Sequence, residues 1–336
     1  MKQHIFSLFI AAIALSSCTK DKDAFCPPPS KQCDSTLYAS LLPADSCVVF
    51  PEISFGILYI YNRVGPGYAL IGKNPSNSDE WLFMIHPEGA STNVDSEIWK
   101  IDTCSGRKEI LIDSVRSQPK INKDGWLLFR LGSDGFMYKL SPDGDSLEAV
   151  SDLVAHDLFD WCLDGEAFFY RARFKKMAYL VSINGEVLDS FNLDCHAITG
   201  RENRIAMNLK SNITGTYTRL AILNVHTGDL IDMGEIELGL GGPLALAWET
   251  DESLIGVFVK GVYRIDVLTG DVELVKETCD NLSYYYPSVD SDNPDWLVLG
   301  RQDFMYPHQS LNVDFTTSMV MLNTQTGEEW KLDLDQ

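Results

Sequence analysis

The chain has 336 residues, 48 acidic and 27 basic, giving a formal net charge of −21. No Lys/Arg cluster stands out to neutralise phosphates, which argues against nucleic acid as a partner and against a polybasic hold on anionic lipid. The length suits two average domains or one large all-β domain.

In chain order, the first element is an export signal. One Lys precedes an apolar run over residues 5–15, too short to span a bilayer, which ends in Leu15-Ser16-Ser17-Cys18. That string resembles a lipobox, which implies cleavage before Cys18 and a lipid on its thiol as the hold on the membrane. Thr19-Lys20-Asp21-Lys22-Asp23 then resembles the surface-export signal of Bacteroidota lipoproteins. These features imply a lipid-anchored outer-membrane protein facing the periplasm or the exterior. Residues 1–17 read as the signal, 18–46 as a tether and 47–336 as the folded body. Pro27-Pro28-Pro29 favours an extended spacer. Residues 35–42 read as a short helix, capped by Asp34 or Ser35 and stopped by Pro43.

The body repeats itself. A short apolar strand, a turn ending in Gly and another apolar strand recur around Gly106, Gly144, Gly185, Gly228, Gly270 and Gly327. The turns read Asp102-Thr103-Cys104-Ser105-Gly106, Asn224-Val225-His226-Thr227-Gly228 and Asp266-Val267-Leu268-Thr269-Gly270, with variants elsewhere. Glycine accepts the positive φ of a tight hairpin, and Asp or Asn caps the turn with its side chain. Period-two alternation reads each strand as half-buried. The glycines are spaced by 38, 41, 43, 42 and 57 residues. A unit of roughly 40 residues holding four strands is a propeller blade. The expectation is therefore a six-bladed β-propeller of four-stranded antiparallel blades. The alternative is seven blades, with residues 48–61 feeding a further sheet rather than an extra strand at ring closure. Asp-Gly, two strands, Thr-Gly and a strand, with Asp124-Gly125 an instance of the first turn and Thr269-Gly270 of the second, resemble the TolB-type six-bladed propellers and TolB-like lipoproteins of Bacteroidota. The likeness covers about residues 55–334 and speaks to fold. TolB carries an α/β domain ahead of its propeller; here only a tether precedes the ring, which argues against a Tol–Pal role.

Chemistry-bearing motifs are few. No G-x-S-x-G, H-E-x-x-H or Walker sequence occurs. The stretch Leu238-Gly239-Leu240-Gly241-Gly242-Pro243 reads as a loop, and Asp290, Asp292 and Asp295 as a turn rather than a calcium site. Cys162, Cys195, His156 and His196 read as buried thiols or a disulfide beside histidines, not a metal cluster, so no metal or cofactor is expected. Binding is expected on the face opposite the Gly hairpins, where the long insertions lie. The candidates are Tyr285 and Tyr286, read in the connection before the last blade, and Phe304, Tyr306 and His308 in its long loop. His156 and His196 should join them at the entries to inner strands. Aromatic rings with polar tips suit a protein or glycan partner. The function expected is a binding or scaffold module; a lyase or glycoside hydrolase on the same ring is the alternative.

Overall fold

The computed structural model describes residues 39–41, 60–63, 67–75, 77–86, 96–102, 105–132, 135–151, 155–172, 176–210, 217–236, 242–279, 282–289, 295–305 and 312–332. Two short strands come first, β1 (Ala39–Leu41) and β2 (Ile60–Arg63). Six antiparallel sheets of four consecutive strands follow. Blade one is β3 (Gly67–Asn74), β4 (Asn77–His86), β5 (Ser96–Asp102) and β6 (Lys108–Val115). Blade two is β7 (Lys120–Ile121), β8 (Leu127–Arg130), β9 (Met137–Leu140) and β10 (Leu147–Ser151). Blade three is β11 (Ala155–Cys162), β12 (Ala167–Ala172), β13 (Ala178–Ser182) and β14 (Val187–Phe191). Blade four is β15 (Cys195–Arg201), β16 (Arg204–Lys210), β17 (Tyr217–Asn224) and β18 (Leu230–Glu235). Blade five is β19 (Ala245–Trp248), β20 (Ser253–Phe258), β21 (Gly261–Asp266) and β22 (Val272–Glu277). Blade six is β23 (Leu282–Val289), β24 (Trp296–Met305), β25 (Asn312–Asn323) and β26 (Glu329–Leu332). The protein is a six-bladed β-propeller. Among the described residues no helix is long and apolar enough to cross a membrane.

The six repeat glycines each join a third to a fourth strand, with φ between 69° at Gly106 and 89° at Gly185. Four of the turns share one chemistry. In the fifth blade the Asp266 carboxylate accepts from the backbone N–H groups of Leu268 and Thr269, both at 2.8 Å, and Gly270 N–H closes the turn on Asp266 O at 2.9 Å. Those two backbone donors hold the Asp266 carboxyl below the usual carboxylate range. Asn224 and Asn323 cap their turns in the same way, and Asp102 caps its own through Ser105 N–H. The other two turns are one residue tighter: Gly144 N–H bonds Ser141 O and Gly185 N–H bonds Ser182 O. First and third strands of a blade run in the same direction, so the first-to-second turns and these Gly turns share one face.

Burial departs from the half-buried expectation in a regular way. The second strands β8, β12, β16 and β20 are almost wholly buried, whereas the outer strands β14, β18 and β22 are largely exposed. The reason is radial: a middle strand is sandwiched between the sheets of two neighbouring blades, and an outer strand is not. The core accordingly falls into inter-blade clusters. Phe129 and Leu82 join blades one and two, Phe168 and Leu128 blades two and three, and Phe169 and Met207 blades three and four. Leu220 and Phe258 join blades four and five, and Ile255 and Leu299 blades five and six. Leu70, Phe83, Val298 and Met319 join blade six back to blade one and close the ring. Each such side chain contributes about 1.5–3 kcal/mol on burial.

Residues 39–41 are not helical. They form β1, antiparallel to β26, with Ser40 opposite Lys331. An open strand edge at the ring's last blade supplies pairing that the local capping signals could not outweigh. β2 pairs in parallel with β25, Ile60 opposite Asn312, which gives an extra strand at ring closure and no seventh blade among the described residues. Residues 48–59 lie outside them.

Candidate functional site

The inner strands converge on the axis and leave one edge of each without a strand partner, so backbone amides and carbonyls face the channel. There they enclose a cavity of about 660 Å3. Every blade contributes: residues 70–75, 118–121, Asp160, 199–201, 246–248 and 287–289, with Trp81 and Val298 behind them. These are the distal halves of the inner strands, so the cavity reaches toward the face that carries the Gly turns.

Side chains stitch the inner strands around it. Trp161 Nε1 donates to Lys120 O at 2.9 Å, Trp248 Nε1 to Thr199 O at 3.2 Å, and Tyr285 Oη to Tyr68 O at 3.3 Å. Asp160 accepts from Trp161 N–H at 2.8 Å and Gly200 N–H at 3.1 Å, tying β11 to β15, and its carboxylate lies 3.5 Å from Lys120 Nζ. Gly200 permits that approach, since a Cβ there would sit 1.8 Å from Trp161 O. The cationic groups on the wall, among the described residues, are Lys73, Lys120, Lys123 and Arg201. Lys73 Nζ lies 5.8 Å over the Trp81 ring, and Arg201 Nε bonds Asp251 at 2.6 Å.

A second polar cluster sits at the opposite end of the inner strands, between blades three and four. Asp194 accepts from Arg171 Nη2 at 2.9 Å and from the Tyr217 phenol at 2.8 Å. The His196 ring lies 5.3 Å from that of Tyr217. Burial, assisted by the Arg171 charge, pushes the His196 imidazole below its ordinary pKa and keeps it neutral.

The residues expected to bind are dispersed among these features. Tyr285 and Tyr286 belong to the inner strand β23, not to the connection before it. Tyr284 is buried with its hydroxyl on Glu329; Tyr285 packs its ring over Gly300 and edge-on to Tyr286, 5.0 Å away. Tyr286 has a φ of 49° and packs against the core shared by blades one and two. His196 is the second residue of β15 and joins the Asp194 cluster; His156 is the second residue of β11, the matching place one blade earlier. Phe304 pairs in register with Phe315 at the far end of β24. Tyr306, His308 and Cys18 lie outside the described residues. Cys162 and Cys195 are buried free thiols, Cys195 pushed up to about 12 by burial, so both are inert at neutral pH. Among the described residues no three His, Cys, Asp or Glu side chains gather around a common point. Sequence reasoning did not single out Lys73, Lys120, Asp160 or Arg201. The available signal was their shared place at the ends of successive inner strands.

No protein-family model matches the chain, and no curated protein matches it by sequence. Solved structures do. An oligogalacturonate lyase in complex with manganese superposes with a TM-score of 0.51 at 12% identity, covering 79% of this chain and 77% of that one. Virginiamycin B lyase from Staphylococcus aureus gives 0.50 at 12% identity, covering 80% and 94%. TolB from Acinetobacter baumannii gives 0.36 at 14% identity, covering 81% and 64%. At these identities the likeness to the two lyases bears on the architecture alone and on nothing finer.

Proposed function

We propose that this chain is an exported lipoprotein of the TolB-like Bacteroidota type, anchored in the outer membrane by a lipid on Cys18. Its propeller serves as a binding or scaffold module for a protein or glycan partner in the envelope. The axial cavity carries this reading: its volume lies within the range of small-molecule sites, and its wall mixes apolar side chains with a few convergent polar groups. Cys279 is held in a disulfide, which suits an oxidising compartment outside the cytoplasm. The lyase or hydrolase alternative needs an acid–base pair facing a substrate. Among the described residues the carboxylate on the cavity wall, Asp160, is instead committed to two backbone amides and Lys120.

The test is a thermal-shift screen of envelope glycans and peptides against the mature chain, repeated with Ser288→Trp to fill the cavity. Ligands should raise the melting temperature of the parent and not of the variant. Ligands that bind the filled variant equally would move the site to the loop face. New products appearing from a ligand by mass spectrometry would favour the enzyme. For the anchor, Cys18→Ala should release the chain from membranes; retention after a high-salt wash would defeat the lipoprotein reading.

A further inference from the structure

Resting on that reading, we infer that the axial cavity takes a small polyanion, a molecule bearing two or more carboxylate or phosphate groups. Across the whole chain acidic side chains outnumber basic ones, 48 to 27. Among the described residues of the cavity wall the balance reverses: Lys73, Lys120, Lys123 and Arg201 face a single carboxylate, Asp160. Asp160 is neutralised where it stands, by Lys120 at 3.5 Å and by two backbone donors. Lys123 and Arg201 pair outward, with Asp164 at 3.9 Å and Asp251 at 2.6 Å. Those two partner carboxylates are 62% and 60% exposed, so water screens both pairs and a ligand anion can recruit the same cations.

The backbone brings two of the cations together. At Gly72 a Cβ would stand 2.8 Å from Ile121 Cγ2, so β3 and β7 are in direct contact, with Lys73 and Lys120 on the neighbouring positions. Low-dielectric walls focus such a field along the axis. The cavity, at about 660 Å3, is larger than one phosphate or carboxylate needs, which points to a multiply charged occupant.

Calorimetric titration of the mature chain with a trihexuronic acid, its carboxyl-reduced neutral trisaccharide and inositol hexakisphosphate tests the inference. One polyanion should bind and the neutral sugar should not; which polyanion binds separates carboxylate from phosphate recognition. Lys73→Gln and Lys123→Gln should each weaken binding about tenfold, and raising salt from about 50 to about 300 mM should weaken it further. Lys331→Gln, exposed on the outer strand β26, should leave it unchanged. Equal binding of the neutral trisaccharide, untouched by the Lys variants, would overturn the polyanion and leave the binding module standing. Polyanion binding that survives both cavity variants, or binding by none of the probes, would overturn the inference without deciding the broader screen.

Discussion

Blade six differs from the other five in how it ends. In blades one to five the outer strand carries a register shift against its neighbour, between Leu180 and Val181 in blade three and between Leu220 and Ala221 in blade four, for example. A bulge bends an edge strand away from any further partner. The outer strand of blade six, β26, pairs with β25 without a shift, and β1 covers its free edge. Five edges are blunted by their own geometry and the sixth by a segment from the other end of the chain. A regular edge at one place in the ring makes a specific seat for the N-terminal strand.

The same blade holds a buried carboxylate shared by groups from two blades. Glu329 on β26 receives Arg301 Nη1 at 2.6 Å, Lys276 Nζ from blade five at 3.3 Å and the Tyr284 hydroxyl. Arg301 also forks onto Asp303. Blade five has a more local cluster: Glu249 takes Arg264 bidentately at 2.6 and 2.7 Å and the Ser253 hydroxyl at 2.9 Å. Glu329→Ala should therefore show the largest effect, about 3–5 kcal/mol lost in urea denaturation, because Arg301, Lys276 and Tyr284 all lose the buried carboxylate they share, although Arg301 keeps Asp303. Glu249→Ala should lose about 2 kcal/mol, since Arg264 keeps Glu273 and some water. Equal losses would mean that blade six is no more tightly locked than its neighbour.

A steric prediction follows in size. Gly200→Ala places a methyl on Trp161 O and should cost about 3 kcal/mol by forcing β11 and β15 apart. An equal loss in Gly270→Ala would deny that the inner-strand approach matters more than turn conformation. At Gly270 nothing stands within 4 Å of the new Cβ, and only the positive φ is penalised, by about 1 kcal/mol.

The contrast also shows what a linear chain reveals. The blades are legible because their signal is local and repeated: an Asp or Asn cap, then Gly at positive φ, at intervals near one blade length. β1 is illegible because three residues become a strand only when β26 offers an edge nearly 300 positions away. The tyrosines of β23 read as a loop for a related reason. Ser283 to Pro287 has no alternation, since the register shifts between Tyr285 and Ser288 and Tyr286 takes a left-handed conformation. Lys73 and Lys120 look like ordinary solvent-facing residues of alternating strands, and only ring closure places them on the cavity wall.

The seat of β1 can be opened directly. Proline at both Ser40 and Leu41 removes two backbone donors from the strand and should lower stability by about 1–2 kcal/mol. Hydrogen exchange should quicken across β26 while the outer strands of blades one to five keep their rates. Sedimentation should also detect new self-association, because the uncovered edge has no bulge to deter a second strand. Unchanged exchange in β26 would mean that β1 protects nothing.

The smallest effect is expected at His196, in a blade that plays no part in closure. Its folded-state pKa lies below the unfolded value of 6.5, because burial and Arg171 disfavour the imidazolium. Below that pH the unfolded chain takes up a proton more readily than the folded one. The stabilisation is therefore complete above about pH 6.5 and is lost as pH falls through the folded pKa. Arg171 and Lys176, both drawn to Asp194, are the cations facing this corner, with Tyr217 as the neutral neighbour. His196→Gln should flatten the fall in melting temperature between about pH 7 and pH 5 by a few degrees. Because His196 and Glu329 share no hydrogen-bond or ion-pair partner in the described residues, the pH slope should be the same in a Glu329→Gln background. A slope that vanishes when the blade-six lock is weakened would show that acid acts through ring closure and not through the blade-four histidine.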